Sequence, residues 1–276
     1  MVRRLARLRR LVREGRSDAP GRIVDAFGRI GLVGYGVVHL VVAWLALEVA
    51  FGVPDAPADA QGAVGTIAHT PGGALALGVG ALGLVAFALW QVAAATVGFR
   101  WVSGNERMRK RVGAVAKSVT MTGLAVIVVN YLTGMGSGAT TVQEVAADVL
   151  ALPAGRALLG LAAIVILGIA GAMTYTGLRR TFMGDLDVRR LGPGVRQAIE
   201  VVGAAGHLAR ALAFGVVGVL AGAAALFADP GRAGGLDAAL RALGATAAGA
   251  WLLAVVAVGF GAFGVFCIAD AATRRA

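Results

Sequence analysis

Long uncharged stretches alternate with short charged ones along this chain. Residues 30–47, 60–99, 118–143, 157–178, 211–228 and 242–269 contain no Asp, Glu, Lys or Arg. Each holds a segment near or above the roughly 18 apolar residues that cross about 30 Å of hydrocarbon at about 1.5 Å per residue. An outer-membrane strand would alternate apolar and polar positions with a period of two. These segments are instead apolar on every face and rich in Ala, Leu, Val and Gly, which is the signature of helices. The pattern predicts six membrane-spanning helices at about 29–52, 73–98, 112–134, 154–178, 203–228 and 247–271. Composition agrees: 58% of residues are apolar and 15% charged, against about 45–50% and about 25% in soluble domains.

Charge adds an orientation. Nine Arg lie in residues 1–29, and the segment after the second helix holds Arg100, Arg107, Arg109, Lys110 and Arg111. The segment after the fourth holds Arg179, Arg180, Arg189, Arg190 and Arg196, and Arg274 and Arg275 stand at the C-terminal end. The other three loops carry Asp55, Asp59, Glu144, Asp148, Asp229 and Asp237 against only Arg156, Arg232 and Arg241. Because cytoplasmic loops retain Lys and Arg, both termini are expected in the cytoplasm and the protein in the cell membrane. The net charge of +11 is therefore a matter of topology rather than of nucleic-acid binding, and anionic head groups at the cytoplasmic leaflet are the expected partner. The first residues space Leu5, Leu8 and Leu11 along one helical face with Arg elsewhere, so residues 1–28 read as a basic amphipathic segment able to lie in the interface.

Beneath the spans lies a threefold internal repeat. Gly31, Gly113 and Gly206 open the odd helices, followed by Gly34, Ala116 and Ala209 and then by Gly36, Ser118 and Ala211. The centre of that frame is Tyr35, Lys117 or Arg210. In the outer loops Gln61, Gln143 and Asp237 correspond, each followed by apolar residues at helical spacing, which predicts a short amphipathic helix in every outer loop. Pro71, Pro153 and Ala247 precede Gly73, Gly155 and Gly249, which start the even helices. Within those helices Gly83, Gly168 and Gly259 stand seven residues before Trp90, Tyr175 and Phe266. The chain divides into the segment 1–28 and three repeats, 29–102, 103–190 and 191–276, each of two crossings. Two crossings per repeat make the three hairpins parallel, so the expected architecture is an all-α bundle around a pseudo-threefold axis along the membrane normal.

Hydrophobic burial gives helices little drive to associate in lipid, so close approach over small residues must supply the contact. Gly31, Gly34, Gly113, Gly206, Gly83, Gly168 and Gly259 are the expected packing residues, with Gly218 and Gly222 in a GxxxG arrangement. The central Tyr35, Lys117 and Arg210 are expected to act as interface anchors, the cations extending back to lipid phosphates.

The frame Gly-x-x-small-[Arg/Lys/Tyr]-small, together with "QGAVGTIA", "PGG" and "PAG", resembles the actinobacterial integral membrane family catalogued as domain of unknown function 1206. The resemblance covers about residues 26–276. It implies three tandem two-helix units and brings no assigned activity. Tyr35, where a basic residue would stand, and Ala247, where a Pro would, depart from the pattern.

Candidate chemistry is sparse. His39, His69 and His207 lack ligand spacing, Cys267 is the single cysteine, and no nucleotide loop, HExxH or GxSxG occurs. No catalytic residue, metal ligand or cofactor is assigned. His39 near the middle of the first span, and Glu48 with its repeat equivalent Asn130 near the outer ends of the first and third, are the intramembrane polar candidates. His39 and Glu48 are about 180° apart on one helix and cannot relay a proton within it. Two functions fit: a scaffold working through lipid or protein contacts, or a channel or carrier with its path along the pseudo-threefold axis.

Overall fold

The structure, a computed structural model, describes residues 26, 28–52, 56–97, 104–134, 141–188, 191–246 and 248–273. The amphipathic reading of the first residues lies outside them, as does Ala247. Among the described residues six helices are long and apolar enough to cross a membrane. They are α1 (Gly28–Ala50), α3 (Gly73–Val97), α4 (Gly104–Leu132), α6 (Gly155–Arg179), α7 (Pro193–Phe227) and α9 (Gly249–Thr273). Between the members of each pair lies a short outer helix: α2 (Ala60–Ala68), α5 (Val142–Ala151) and α8 (Leu236–Gly244).

The expected spans are all present, but α4 and α7 begin eight and ten residues before the expected 112 and 203. Their added turns hold Glu, Arg, Lys, Gln and Ala, which are good helix formers in water, and Pro193 occupies the first turn of α7, where its missing N–H costs nothing. Apolar length reports only the part of a helix that lipid must cover.

Two of the outer helices, α2 and α5, start with a side-chain cap. Asp59 accepts from the N–H groups of Gln61 and Gly62, and Thr141 forms a reciprocal capping box with Glu144. Each even span then starts against the end of its outer helix. The N–H groups of Gly73, Gly155 and Gly249 donate to the carbonyls of Thr70, Leu152 and Thr246 at 2.9, 2.9 and 2.8 Å. A Cβ on any of the three would run into the backbone carbonyl of Ile67, Val149 or Gly244, so glycine is a steric necessity there.

Neighbouring spans pack in chain order: α1 on α3, α3 on α4, α6 on α7, α7 on α9, with α9 returning to α1. The missing step is α4 to α6, which lack comparable packing. Among the described residues the helices thus form a ring open between α4 and α6, with α1 the most enclosed span and α6 the least. Close approaches carry the ring. A Cβ at Gly31 would fall 2.5 Å from the Gly83 carbonyl oxygen, and one at Gly36 or Gly264 would fall 2.7 Å from the other's carbonyl oxygen. Gly206 lies against the backbone of Phe263, Gly259 against Ala209, and Gly218 against Leu167. Gly34 and Gly222 sit in ordinary contact with Gly80 and Ala163.

Gly113 and Gly168 are exceptions to the packing expectation, since a Cβ on either would meet nothing within 4 Å. Both belong to the repeat whose two helices stand apart. Gly168 is also out of register: carrying the 82-residue offset of Gly31 and Gly113 along the repeat places Val165, not Gly168, opposite Gly83.

The first and third repeats are tied at three levels. At the basic end Arg29 Nη1 donates to the Ala271 carbonyl at 2.9 Å, placing a cation on the C-terminus of α9. Gly36 and Gly264 meet further along. At the opposite end the N–H of Ala58 donates to Asp237 Oδ1 at 2.9 Å. That last contact has a counterpart, because Gln143 Nε2 donates to the Ala233 carbonyl at 2.9 Å. Gln143 and Asp237 are each the second residue of their helix, and each reaches the peptide joining the second and first residues before the N-cap of another repeat's outer helix. Glutamine takes the carbonyl and aspartate, which only accepts, takes the N–H.

Candidate functional site

Two of the three repeat centres, Tyr35 and Arg210, meet inside the bundle. Arg210 lies four residues past the Gly206 contact of α7 and is only 7% exposed. Its Nη2 donates to the Tyr35 hydroxyl at 2.9 Å. Equivalent positions of the third and first repeats are thereby in direct contact. The guanidinium carbon sits 4.0 Å from the ring centroid of Phe263 and 5.8 Å from those of Tyr35 and Phe214. Arg210 and Tyr35 are therefore not the outward anchors expected of them. The reason is the frame itself: residues one turn from a glycine that touches another helix must point near that helix, and here they point into the enclosed space beside it.

Lys117 keeps an exposed side chain. On α4 it continues the row of Leu124 and Val128, which are buried, so it lies on the inward side of that helix.

Around Arg210 stands an aromatic cluster. His39 is buried, its Nδ1–H donating to the Tyr35 carbonyl at 2.9 Å, and its ring lies 4.3 Å from Tyr35, 4.9 Å from Phe263 and 6.0 Å from Phe260. His207 donates Nδ1–H to the Gly203 carbonyl at 2.7 Å and stacks on Phe182 at 5.0 Å. Phe182 comes from the 3₁₀ turn Thr181–Asp185 after α6, and Gly203 is small enough to admit both Phe182 and Phe266. A carbonyl only accepts, so both imidazoles carry hydrogen on Nδ1.

Tyr35, His39 and Arg210 were separate candidates in the sequence, and the fold brings these three together around Phe263. Sequence reading passed over Phe260 and Phe263, whose signal was an aromatic recurring every three residues from 260 to 266 on α9. Glu48 and Asn130, although equivalent in the repeat, face different surroundings: Glu48 is half-buried, its Oε2 lacking a hydrogen-bond partner, and Asn130 is exposed. Trp90, Tyr175 and Phe266 also diverge, since Trp90 packs on Phe87 at 5.6 Å, Tyr175 is exposed and Phe266 is buried.

Six apolar spans, three repeats and outer helices define an α-helical multi-pass membrane protein with a polar cluster where its first, fifth and last spans meet. The chain belongs to the family described as Domain of Unknown Function (DUF1206), whose model matches it three times, at residues 30–98, 112–180 and 205–274. Those matches carry the 82-residue offset, since the first two are equal in length. The chain is also similar to an uncharacterized protein, YxxB, of Bacillus subtilis (strain 168). The two are 29% identical over 246 residues, which is 89% of each chain. No solved structure matches.

Proposed function

We propose that this protein works through lipid contacts, as a membrane-organising scaffold that gathers anionic head groups at its basic face, and that this face is cytoplasmic. The placement of cations at the helix ends supports the reading. Arg107, Lys110 and Arg111 at the start of α4, Arg179 at the end of α6 and Arg196 in the first turn of α7 stand at one end of the bundle. Arg180 stands with them, paired with Glu200. The opposite end carries Asp59, Glu144, Asp148, Asp229 and Asp237, with Arg232 and Arg241 paired to Asp229 and Asp237. A Lys or Arg near an anionic surface contributes about 1 kcal/mol, so a handful of them is enough to sort anionic from zwitterionic lipid.

The test is native mass spectrometry of the full chain released from an uncharged detergent, with phosphatidylglycerol and phosphatidylcholine in competition. The native protein retains phosphatidylglycerol preferentially. A quadruple variant, Arg107→Gln, Lys110→Gln, Arg179→Gln and Arg196→Gln, loses most of that preference. Equal retention of the two lipids by the native protein would overturn the reading.

A second reading, passage of a small solute along the ring's interior, is favoured by His39, His207 and Arg210 gathering there. Asn130, which such a path would also need, lies about 140° around α4 from Lys117 and is exposed. Flux in proteoliposomes that falls on changing His39 to Leu would favour this alternative.

A further inference from the structure

Beside the start of α7 lies a groove of about 520 Å³, within the range of about 300–1,000 Å³ typical of ligand sites. One wall holds Val188 and Leu191, in the connection between α6 and α7, and the other is the first turns of α7, with Arg196, Gln197, Glu200 and Val201. The first wall is held in place. The N–H of Leu191 donates to the Val188 carbonyl at 3.2 Å, and that of Asp187 to the Thr273 carbonyl at the end of α9 at 2.7 Å. Leu186 beside it is buried. A wall tied down in this way has little order left to lose when a ligand arrives.

The groove carries an excess of one positive charge. Arg180 and Arg196 face a single carboxylate, Glu200, with which Arg180 pairs. Arg196 is exposed and pairs with no carboxylate among the described residues. One excess cation matches a phosphodiester, which is a monoanion, better than a phosphate monoester carrying about 1.5 to 2 negative charges at pH 7. A guanidinium fork suits phosphate oxygens, and Gln197 and Glu200 can accept from hydroxyl groups, which a glycerol head group has and a choline lacks.

Depth selects a lipid. The apolar part of α7 begins near residue 203, so Val201 stands at the edge of the hydrocarbon and Arg196 about 7 Å further out, at about 1.5 Å per residue. The head-group layer of a bilayer is about 5–7 Å deep on each side. The apolar and cationic ends of the groove are thus as far apart as the upper acyl carbons and the phosphate of a phospholipid.

We infer that this groove seats one phospholipid by its phosphodiester, with Arg196 and Arg180 on the phosphate, Gln197 and Glu200 on head-group hydroxyls, and Val188, Leu191 and Val201 against the upper acyl carbons. The inference rests on the lipid reading of the basic face and deepens it, since that reading needs only a diffuse field of cations.

The full chain in an uncharged detergent is titrated with phosphatidylglycerol and followed by native mass spectrometry. Glycerophosphoglycerol, the same head group without acyl chains, is the second probe. The native protein keeps one phosphatidylglycerol after weaker copies are stripped by collision, and it binds glycerophosphoglycerol about tenfold more weakly for want of the apolar contact. Arg196→Lys keeps the charge, removes the fork and weakens the retained lipid about tenfold. Val201→Trp, at an exposed side chain, fills the groove and weakens it at least as much. Because Val201→Trp touches no cation, the general preference for phosphatidylglycerol over phosphatidylcholine survives it. Should Val201→Trp fail to fold, Arg196→Lys decides alone. A general preference that persists while both variants keep the retained lipid at native affinity would overturn the seat and leave the basic-face reading standing. Absence of any preference in the native protein would remove both. Equal affinity for glycerophosphoglycerol would overturn the assignment to a lipid.

Discussion

The first and third repeats close on themselves, whereas the second is spread between them. Gly31 touches Gly83 within the first, and Gly206 and Gly259 touch Phe263 and Ala209 within the third. In the second, Gly113 has an open surface and its helix packs on α3 of the first repeat, while α6 packs on α7 of the third. The opening residue is glycine in all three. The difference lies across the hairpin, where Val165 occupies the place of Gly83 and Gly259 and is 53% exposed. A packing frame needs small residues on both helices, because in lipid there is no hydrophobic force to bring the backbones together over a bulky side chain. One valine turns a closed hairpin into two helices that serve other neighbours, and it leaves an opening in the ring.

The comparison breaks most visibly at the glycines. Gly36→Val forces a side chain into the Gly264 carbonyl and should cost about 3 kcal/mol in reversible unfolding from detergent, whereas Gly113→Val should change stability by no more than about 0.5 kcal/mol. Equal losses at the two sites would mean that the second repeat is as tightly closed as the others. Next in size, Tyr35→Phe removes the acceptor for Arg210 and should cost about 2 kcal/mol in the same measurement. A cost near zero would say that the repeat centres touch without depending on each other.

The two outer ties should be weaker. Asp237→Ala and Gln143→Ala each delete one contact between repeats and should lower stability by about 1 kcal/mol, with the aspartate the larger because its bond is charge-assisted. Val165→Gly sharpens the comparison directly by giving α6 the small residue it lacks. Spin labels at Val119 and Ile164 should then report α4 and α6 closing toward a packed interaxial distance of about 8–10 Å, and an unchanged distance distribution would remove Val165 as the cause. The smallest effect belongs to Ala154, which holds φ at 61° where the first repeat has Gly72 at 76°. Ala154→Gly should raise thermal stability by about 1 kcal/mol by relieving the left-handed strain. No gain would place the cost elsewhere.

Much of this architecture can be read in the chain. Spans, outer helices and repeat register follow from local periodicity and from uncharged length, because lipid demands about 18 apolar residues whatever the neighbours are. The starts of α4 and α7 are less legible, since their water-exposed turns follow helix propensity and carry no apolar signal. Gly73, Gly155 and Gly249 are also legible, as each fits a steric need met within its own repeat.

What a side chain faces is another matter. Tyr35, Lys117 and Arg210 occupy one place in the repeat, and by sequence alone all three are interfacial anchors. Only the packing of α1, α7 and α9 turns Arg210 inward onto Tyr35 and Phe263, while Lys117 stays exposed on α4. The six spans and their threefold repeat are therefore written in the order of the residues, since each depends on a few consecutive side chains and on the lipid around them. The meeting of Arg210 with Tyr35 depends on a distance between residues 175 positions apart, and that exists only once the helices have chosen their partners.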